Sequence, residues 1–203
     1  MNKRGKIAVF GGTFNPPHIA HVRAAESYAS AINPDVLMII PDFLPPHKEF
    51  AGTVTAGERL RMCELAFGHI KSVEISDIEI KREGKSYTAI TLTELSKEAE
   101  ELYFLCGTDM FLTLDSWYHP EIIFDKATIC YARRESDRAN DALIEEKKAK
   151  YISDYGARII PIYLPVTELS SCEIRDKLKS GENLEGLIPD SVIDYIKKKG
   201  LYV

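Results

Sequence analysis

Short apolar runs alternate with longer stretches of helical spacing along the chain, a rhythm that predicts an α/β fold with a mostly parallel sheet. Ile7-Ala8-Val9-Phe10 is apolar throughout and closed by Gly11-Gly12, which reads as a strand buried on both faces. Residues 36–40 (Val-Leu-Met-Ile-Ile) and 102–106 (Leu-Tyr-Phe-Leu-Cys) repeat that reading, the second dense enough for a central strand. Residues 127–131 and 159–164 add two more strands, and the alternation over 73–80 predicts another. Between them, apolar residues at helical spacing predict helices over about 18–31, 55–70, 89–97 and 141–155, with a short one at 121–124. Asn33-Pro34 ends the first of these. Ser170 and Glu173 have capping-box spacing at the head of a helix that ends near Lys179-Ser180-Gly181. Pro189 sits in the opening turn of a last helix, over 192–199.

A chain of 203 residues suits one well-buried domain, 1–203, whose final part from about 169 is a helical segment. The basic start Met1-Asn2-Lys3-Arg4 precedes too short an apolar run for a signal peptide, and no later run can span a bilayer. Cys63, Cys106, Cys130 and Cys172 are widely spaced with no C-x-x-C pair, so reduced thiols in a soluble, cytoplasmic protein are expected. A net charge of −5 argues against binding nucleic acid or anionic membranes through bulk charge. Any phosphate site must therefore be a local basic cluster.

The stretch from Gly5 to His21 has the parts of one. Gly11-Gly12 permits a tight turn and a close backbone approach, and Asn15-Pro16-Pro17 excludes helix until about Pro17. A helix starting near His18 then points its N-terminus at the carboxyl edge of the sheet, where open α/β folds bind anions. His18 and His21, three apart, share one helix face and can donate to one phosphate. The spacing is neither G-x-G-x-x-G nor a P-loop. Half of a metal site, or a purely structural strand-turn-helix, are the competing readings.

Other segments leave the same sheet edge. The proline-stiffened loop Pro41-Asp42-Phe43-Leu44-Pro45-Pro46-His47-Lys48 follows the second strand, and its His-Lys pair is either solvated or a phosphate contact. Gly107-Thr108-Asp109 leaves the central strand. Thr88 either caps a helix or faces a ligand, and Trp117, the lone tryptophan, is either core or a stacking surface. Arg133-Arg134 suits a phosphate or a surface ion pair. Leu169-Ser170-Ser171-Cys172-Glu173-Ile174-Arg175 joins a capped helix head to two hydroxyls and a guanidinium, the parts of a second anion site.

Gly11-Gly12-Thr13-Phe14-Asn15-Pro16-Pro17-His18-Ile19-Ala20-His21 resembles the mark of the nucleotidylyltransferase superfamily, Gly-Gly-Ser/Thr-Phe-x-Pro followed by His-x-Gly-His, with Ala20 in place of glycine. Residues 169–175 are similar to the Ile-Ser-Ser-Thr-x-Ile-Arg closing motif of the bacterial nicotinate-nucleotide adenylyltransferase family, with Cys172 in place of threonine, and Leu201-Tyr202 matches that family's ending. The motifs follow the family's order along nearly the whole chain.

The resemblance implies a Rossmann-like, doubly wound nucleotidylyltransferase fold and transfer of the adenylyl group of ATP to nicotinate mononucleotide, giving deamido-NAD and pyrophosphate in NAD biosynthesis. It implies His18 and His21 as the catalytic pair. Gly11, Gly12, Thr13, Phe14, Lys48, Gly107, Asp109, Ser170, Ser171 and Arg175 join them at ATP. Thr88, Trp117, Tyr118, Arg134 and His47 would face nicotinate mononucleotide. Magnesium would be bound through the ATP phosphates rather than by a protein ligand set, and a homo-oligomer is compatible with the family. The attacking phosphate is already ionised, so the reaction needs no side-chain base, in keeping with the absence of a nucleophile-base constellation in the sequence. On the same scaffold the acceptor could instead be nicotinamide mononucleotide or phosphopantetheine, or the donor CTP. A non-catalytic nucleotide-sensing domain is the alternative of a different class.

Overall fold

The apolar runs form a six-stranded sheet in the computed structural model, which describes residues 3–46, 54–133, 140–164 and 169–202. The strands are β1 (Arg4–Gly12), β2 (Val36–Pro41), β3 (Val73–Ile75), β4 (Ala99–Gly107), β5 (Thr128–Arg133) and β6 (Ile159–Tyr163). All neighbours are parallel and the order is β3-β2-β1-β4-β5-β6, the doubly wound arrangement. Parallel pairing puts the ends of β1, β2, β4 and β5 on one edge. The strand order reverses between β1 and β4, which opens a crevice there.

Pleating divides each strand between two cores. Ala8, Leu37, Ile39, Leu105 and Cys130 face one side, with Tyr28 of α1 (Ile19–Ile32), Phe67 of α2 (Ala56–Phe67), Ile174 of α8 (Ser171–Ser180) and Ile196 of α9 (Asp190–Lys199). Ile7, Val9, Met38, Phe104 and Ile129 face the other. There they meet Leu92 of α4 (Thr88–Leu95), Phe111 of α5 (Thr108–Phe111), Phe124 of α6 (Pro120–Lys126) and Tyr151 of α7 (Asp141–Tyr155). Each such buried aliphatic or aromatic side chain stabilises the fold by roughly 1.5–3 kcal/mol. Thr55 and Ser170 begin α2 and α8 with capping boxes, closed by Glu58 and Glu173.

Two expectations are corrected. The strand expected over 73–80 stops at Ile75, and Ile78–Arg82 is instead the one-turn helix α3. The Ser76 hydroxyl accepts from the Ile78 N–H at 3.3 Å, a local bond that turns the chain out of the sheet. Gly11 and Gly12 also lie inside β1, opposite Ile40 and Pro41, so the turn begins at Thr13. Among the described residues no helix is long and apolar enough to cross a membrane, and Cys63, Cys106, Cys130 and Cys172 are free thiols.

Candidate active site

The turn after β1 is built around Phe14. Its ring is buried between Phe10, Phe67 and His21, with centroids at 5.5, 5.5 and 5.1 Å. Its backbone has φ 46°, an uncommon conformation for a bulky residue that packing on three sides holds in place. A Cβ on Gly12 would stand 3.1 Å from that ring, so the glycine serves the packing of the turn. The Thr13 hydroxyl donates to Asp42 Oδ2 at 2.8 Å, which commits its proton within the protein.

His18 is the buried N-cap of α1, and its ring stacks on that of His21 with centroids 3.7 Å apart. The His18 N–H donates to His21 Nδ1 at 3.3 Å, so a neutral His21 carries its proton on Nε2, turned away from the backbone. The Ile19 N–H, expected to be open to a ligand, donates to Leu187 O at 3.0 Å in the segment before α9.

The head of α8 lies against this turn although it comes more than 150 residues later. Arg175 Nη1 donates to Asn15 O at 2.9 Å, with a sequence separation of 160, and the Ser171 hydroxyl donates to Pro16 O at 3.0 Å. Ser170 donates its hydroxyl and N–H to Glu173, at 2.8 and 2.7 Å, and these bonds hold the Glu173 carboxyl below its usual pKa. Both serine hydroxyls are thus engaged within the protein. The remaining guanidinium N–H groups of Arg175 and the first-turn N–H groups of Ser171 and Cys172 are the donors this helix offers to an anion.

Sequence reading missed three residues of this end. The Tyr202 hydroxyl donates to Asn15 Oδ1 at 2.6 Å and braces the turn from the far end of the fold. Asp42 and Arg59 form a buried ion pair at 3.0 Å beneath Thr13. A signal for Arg59 was present: it takes a place on the face of α2 otherwise made by Met62, Cys63, Ala66 and Phe67.

Further along the same edge, Gly107 pairs with Ala132, and the Thr108 hydroxyl donates to Ala132 O at 2.6 Å. This fixes the start of α5, on which Asp109 is exposed. Thr88 is the first residue of α4. The preceding ring, Tyr87, stacks on Tyr118 at 4.3 Å, so Thr88 and Tyr118 are neighbours in the fold. Trp117 is half-buried and meets Phe104 edge to face at 6.3 Å, a contact that ties the indole to β4. Asp115, two residues earlier, accepts from Lys147 and Lys150 at 3.0 and 2.6 Å. Those ammonium groups outweigh its desolvation and hold its carboxyl at about 2. Arg133 pairs with Asp141 at 2.6 Å, the surface ion-pair reading. His47, Lys48 and Arg134 lie outside the described residues. Among the described residues no cluster of three or more His, Cys, Asp or Glu has metal-binding geometry, so the paired-histidine metal reading gains no further ligand.

A histidine pair and a buried turn at the carboxyl edge of a doubly wound parallel sheet, met there by a second basic segment, define a nucleotidylyltransferase fold. The cytidylyltransferase-like family model matches residues 9–177, and the chain is a member of that family. A relative from Lachnoclostridium phytofermentans, described as "Probable nicotinate-nucleotide adenylyltransferase", is 34% identical over 200 residues, covering 98% of this chain and 99% of its own. One of the same description from Staphylococcus epidermidis is 32% identical over 204 residues, covering 100% and 98%. Within the superfamily, then, the chain belongs to the nicotinate-nucleotide adenylyltransferases. The fold is shared with the nicotinic acid mononucleotide adenylyltransferase of Plasmodium falciparum solved with NaAD, at 18% identity, TM-score 0.74 and 98% coverage of both chains.

Proposed function

We propose that this protein transfers the adenylyl group of ATP to nicotinate mononucleotide, forming deamido-NAD and pyrophosphate. The observation that carries the proposal is the seating of Arg175 and Ser171 on the carbonyls of Asn15 and Pro16, directly ahead of His18, in a chain whose relatives bear that activity in their names.

An ionised phosphate oxygen of the acceptor attacks the α-phosphorus in line. A new oxygen-phosphorus bond forms as the bond to the β-phosphate breaks, and pyrophosphate leaves with the charge. No proton transfer is needed, so the residues act by placement and by neutralising charge on the leaving group. His21, with its proton on Nε2, and His18 beside it donate to the phosphates around the reacting bond. Arg175 spends one N–H on Asn15 O and directs the others to the β- and γ-phosphates, which Lys48 joins. Thr13 and Phe14 act through main-chain N–H groups, since the Thr13 hydroxyl is bonded to Asp42. Gly107 and Asp109 lie on the adenosine side.

The carboxylate beneath the phosphate turn, Asp42, is already bonded to Arg59 and Thr13. Imidazoles and a guanidinium are not ligands for a hard cation, so magnesium would be held by the triphosphate rather than by these side chains, and it would supply charge neutralisation beside them. Thr88, Trp117 and Tyr118, with His47 and Arg134, form the acceptor side, Trp117 offering a flat face to the pyridine ring. We further read the chain as one domain acting in the cytoplasm.

Pyrophosphate release with ATP-Mg and each acceptor in turn tests the proposal. Turnover with nicotinate mononucleotide well above that with nicotinamide mononucleotide or phosphopantetheine is expected. Preference for another acceptor, or ATP binding without product, would overturn it.

A further inference from the structure

Between the two ends of the site lies a polar core centred on Arg59, whose side chain is 1% exposed. Nη1 donates to Thr13 O at 2.8 Å and to Asp42 Oδ1 at 3.0 Å, and Nη2 donates to Asp42 O at 2.7 Å and Phe43 O at 3.1 Å. Asp42 also takes the Thr13 hydroxyl, and its N–H donates to Gly12 O at 3.0 Å. One planar fork therefore ties the turn after β1 to the loop after β2 through main-chain atoms of three residues.

The connection continues across the site. The Phe43 N–H donates to Ser86 Oγ at 2.9 Å, the Ser86 N–H donates to Leu44 O at 2.9 Å, and Leu44 bridges Lys85. Ser86 stands two residues before Thr88, and Tyr87 between them stacks on Tyr118. A buried ion pair is a poor source of stability, since a well-packed apolar pair fills the same volume at lower desolvation cost. What an apolar pair lacks is the directional hold of four hydrogen bonds on two loops.

We propose that Arg59, oriented by Asp42, is a positioning residue that sets the turn bearing the phosphate donors against the loop after β2 and, through Ser86, against the acceptor turn at Thr88. The inference rests on the adenylyltransfer reading above. It makes the placement of the two substrates interdependent through a residue that touches neither.

Steady-state kinetics with ATP-Mg and nicotinate mononucleotide test it, alongside thermal unfolding of each variant. Arg59→Lys keeps the charge but cannot span the four acceptors. It is expected to fold, with kcat lowered about tenfold or more and both KM values raised. Ser86→Ala removes the hydroxyl that accepts from the Phe43 N–H and so weakens the link on the acceptor side alone, the main-chain bond from Ser86 to Leu44 remaining. It is expected to raise the acceptor KM about fivefold, leaving kcat and the KM for ATP within about twofold. An Arg59→Lys protein with wild-type kcat and KM values, or a Ser86→Ala protein in which both KM values rise together, overturns the proposal. Should Arg59→Lys fail to fold, Asp42→Asn is read by the same criteria. A wild-type protein inactive with these substrates overturns the adenylyltransfer reading and this inference together, whereas an active wild type with unaffected variants overturns the positioning role alone.

Discussion

The proposed phosphate end and the proposed acceptor end of the site are built on different principles. Around His18 almost every polar group is already bonded within the protein: Asn15 by Arg175 and Tyr202, Pro16 by Ser171, Thr13 by Asp42 and Arg59. Around Thr88 and Tyr118 the structure is a set of rings and ridges, with Tyr118 46% exposed and stacked on Tyr87. A preorganised electrostatic site and an open stacking surface respond differently to mutation. Loss of a donor from the first should lower kcat, and loss of area from the second should raise the acceptor KM.

The sharpest test of that contrast is His18→Ala or His21→Ala, each expected to lower kcat about 100- to 1,000-fold in single-turnover measurements with modest change in unfolding temperature. Retained turnover in either would remove that histidine from the chemistry. Arg175→Ala deletes the proposed phosphate donor together with the bond to Asn15 O, and should reduce kcat/KM for ATP about 10- to 100-fold. On the other side, Trp117→Ala should raise the KM for the nucleotide acceptor about tenfold with kcat little changed, the loss expected for one stacked base. A fall in kcat as large as that of the histidine variants would erase the contrast.

The smallest expected effect concerns the anchor of the acceptor turn. Asp115 holds the segment before Trp117 to Lys147 and Lys150 of α7, with its carboxyl lowered to about 2. A depressed carboxyl pKa contributes stability above its unfolded value, and that stability is lost as pH falls through the folded value. Asp115→Asn should therefore be less stable than wild type at neutral pH, the gap in denaturation midpoint closing between about pH 4 and pH 2. A gap independent of pH would mean that the ion pairs are not its origin.

Local signals in the sequence carried most of the fold. Apolar runs and caps located β1, β2, β4, β5 and β6, and they failed at residues 76–80, where a serine side-chain bond took the backbone out of the strand. Motif spacing brought His18, His21, Ser171 and Arg175 into one account, but it left unstated how they meet. The Arg59 fork, the reach of Tyr202 to Asn15 and the internal bonds of the Thr13, Ser170 and Ser171 hydroxyls join residues up to 187 positions apart. Periodicity records which side chains are apolar, and it carries no information on which distant carbonyl a buried donor will find.

Synthesis order gives those long-range braces a further meaning. A ribosome delivers residues 13–18 early, whereas Arg175 and Tyr202, which grip Asn15 from two sides, emerge 160 and 187 residues after it. Until then a nascent chain holds its histidine-bearing bend through Asp42 and Arg59 alone, so the two braces on Asn15 are among the last contacts of this site to close.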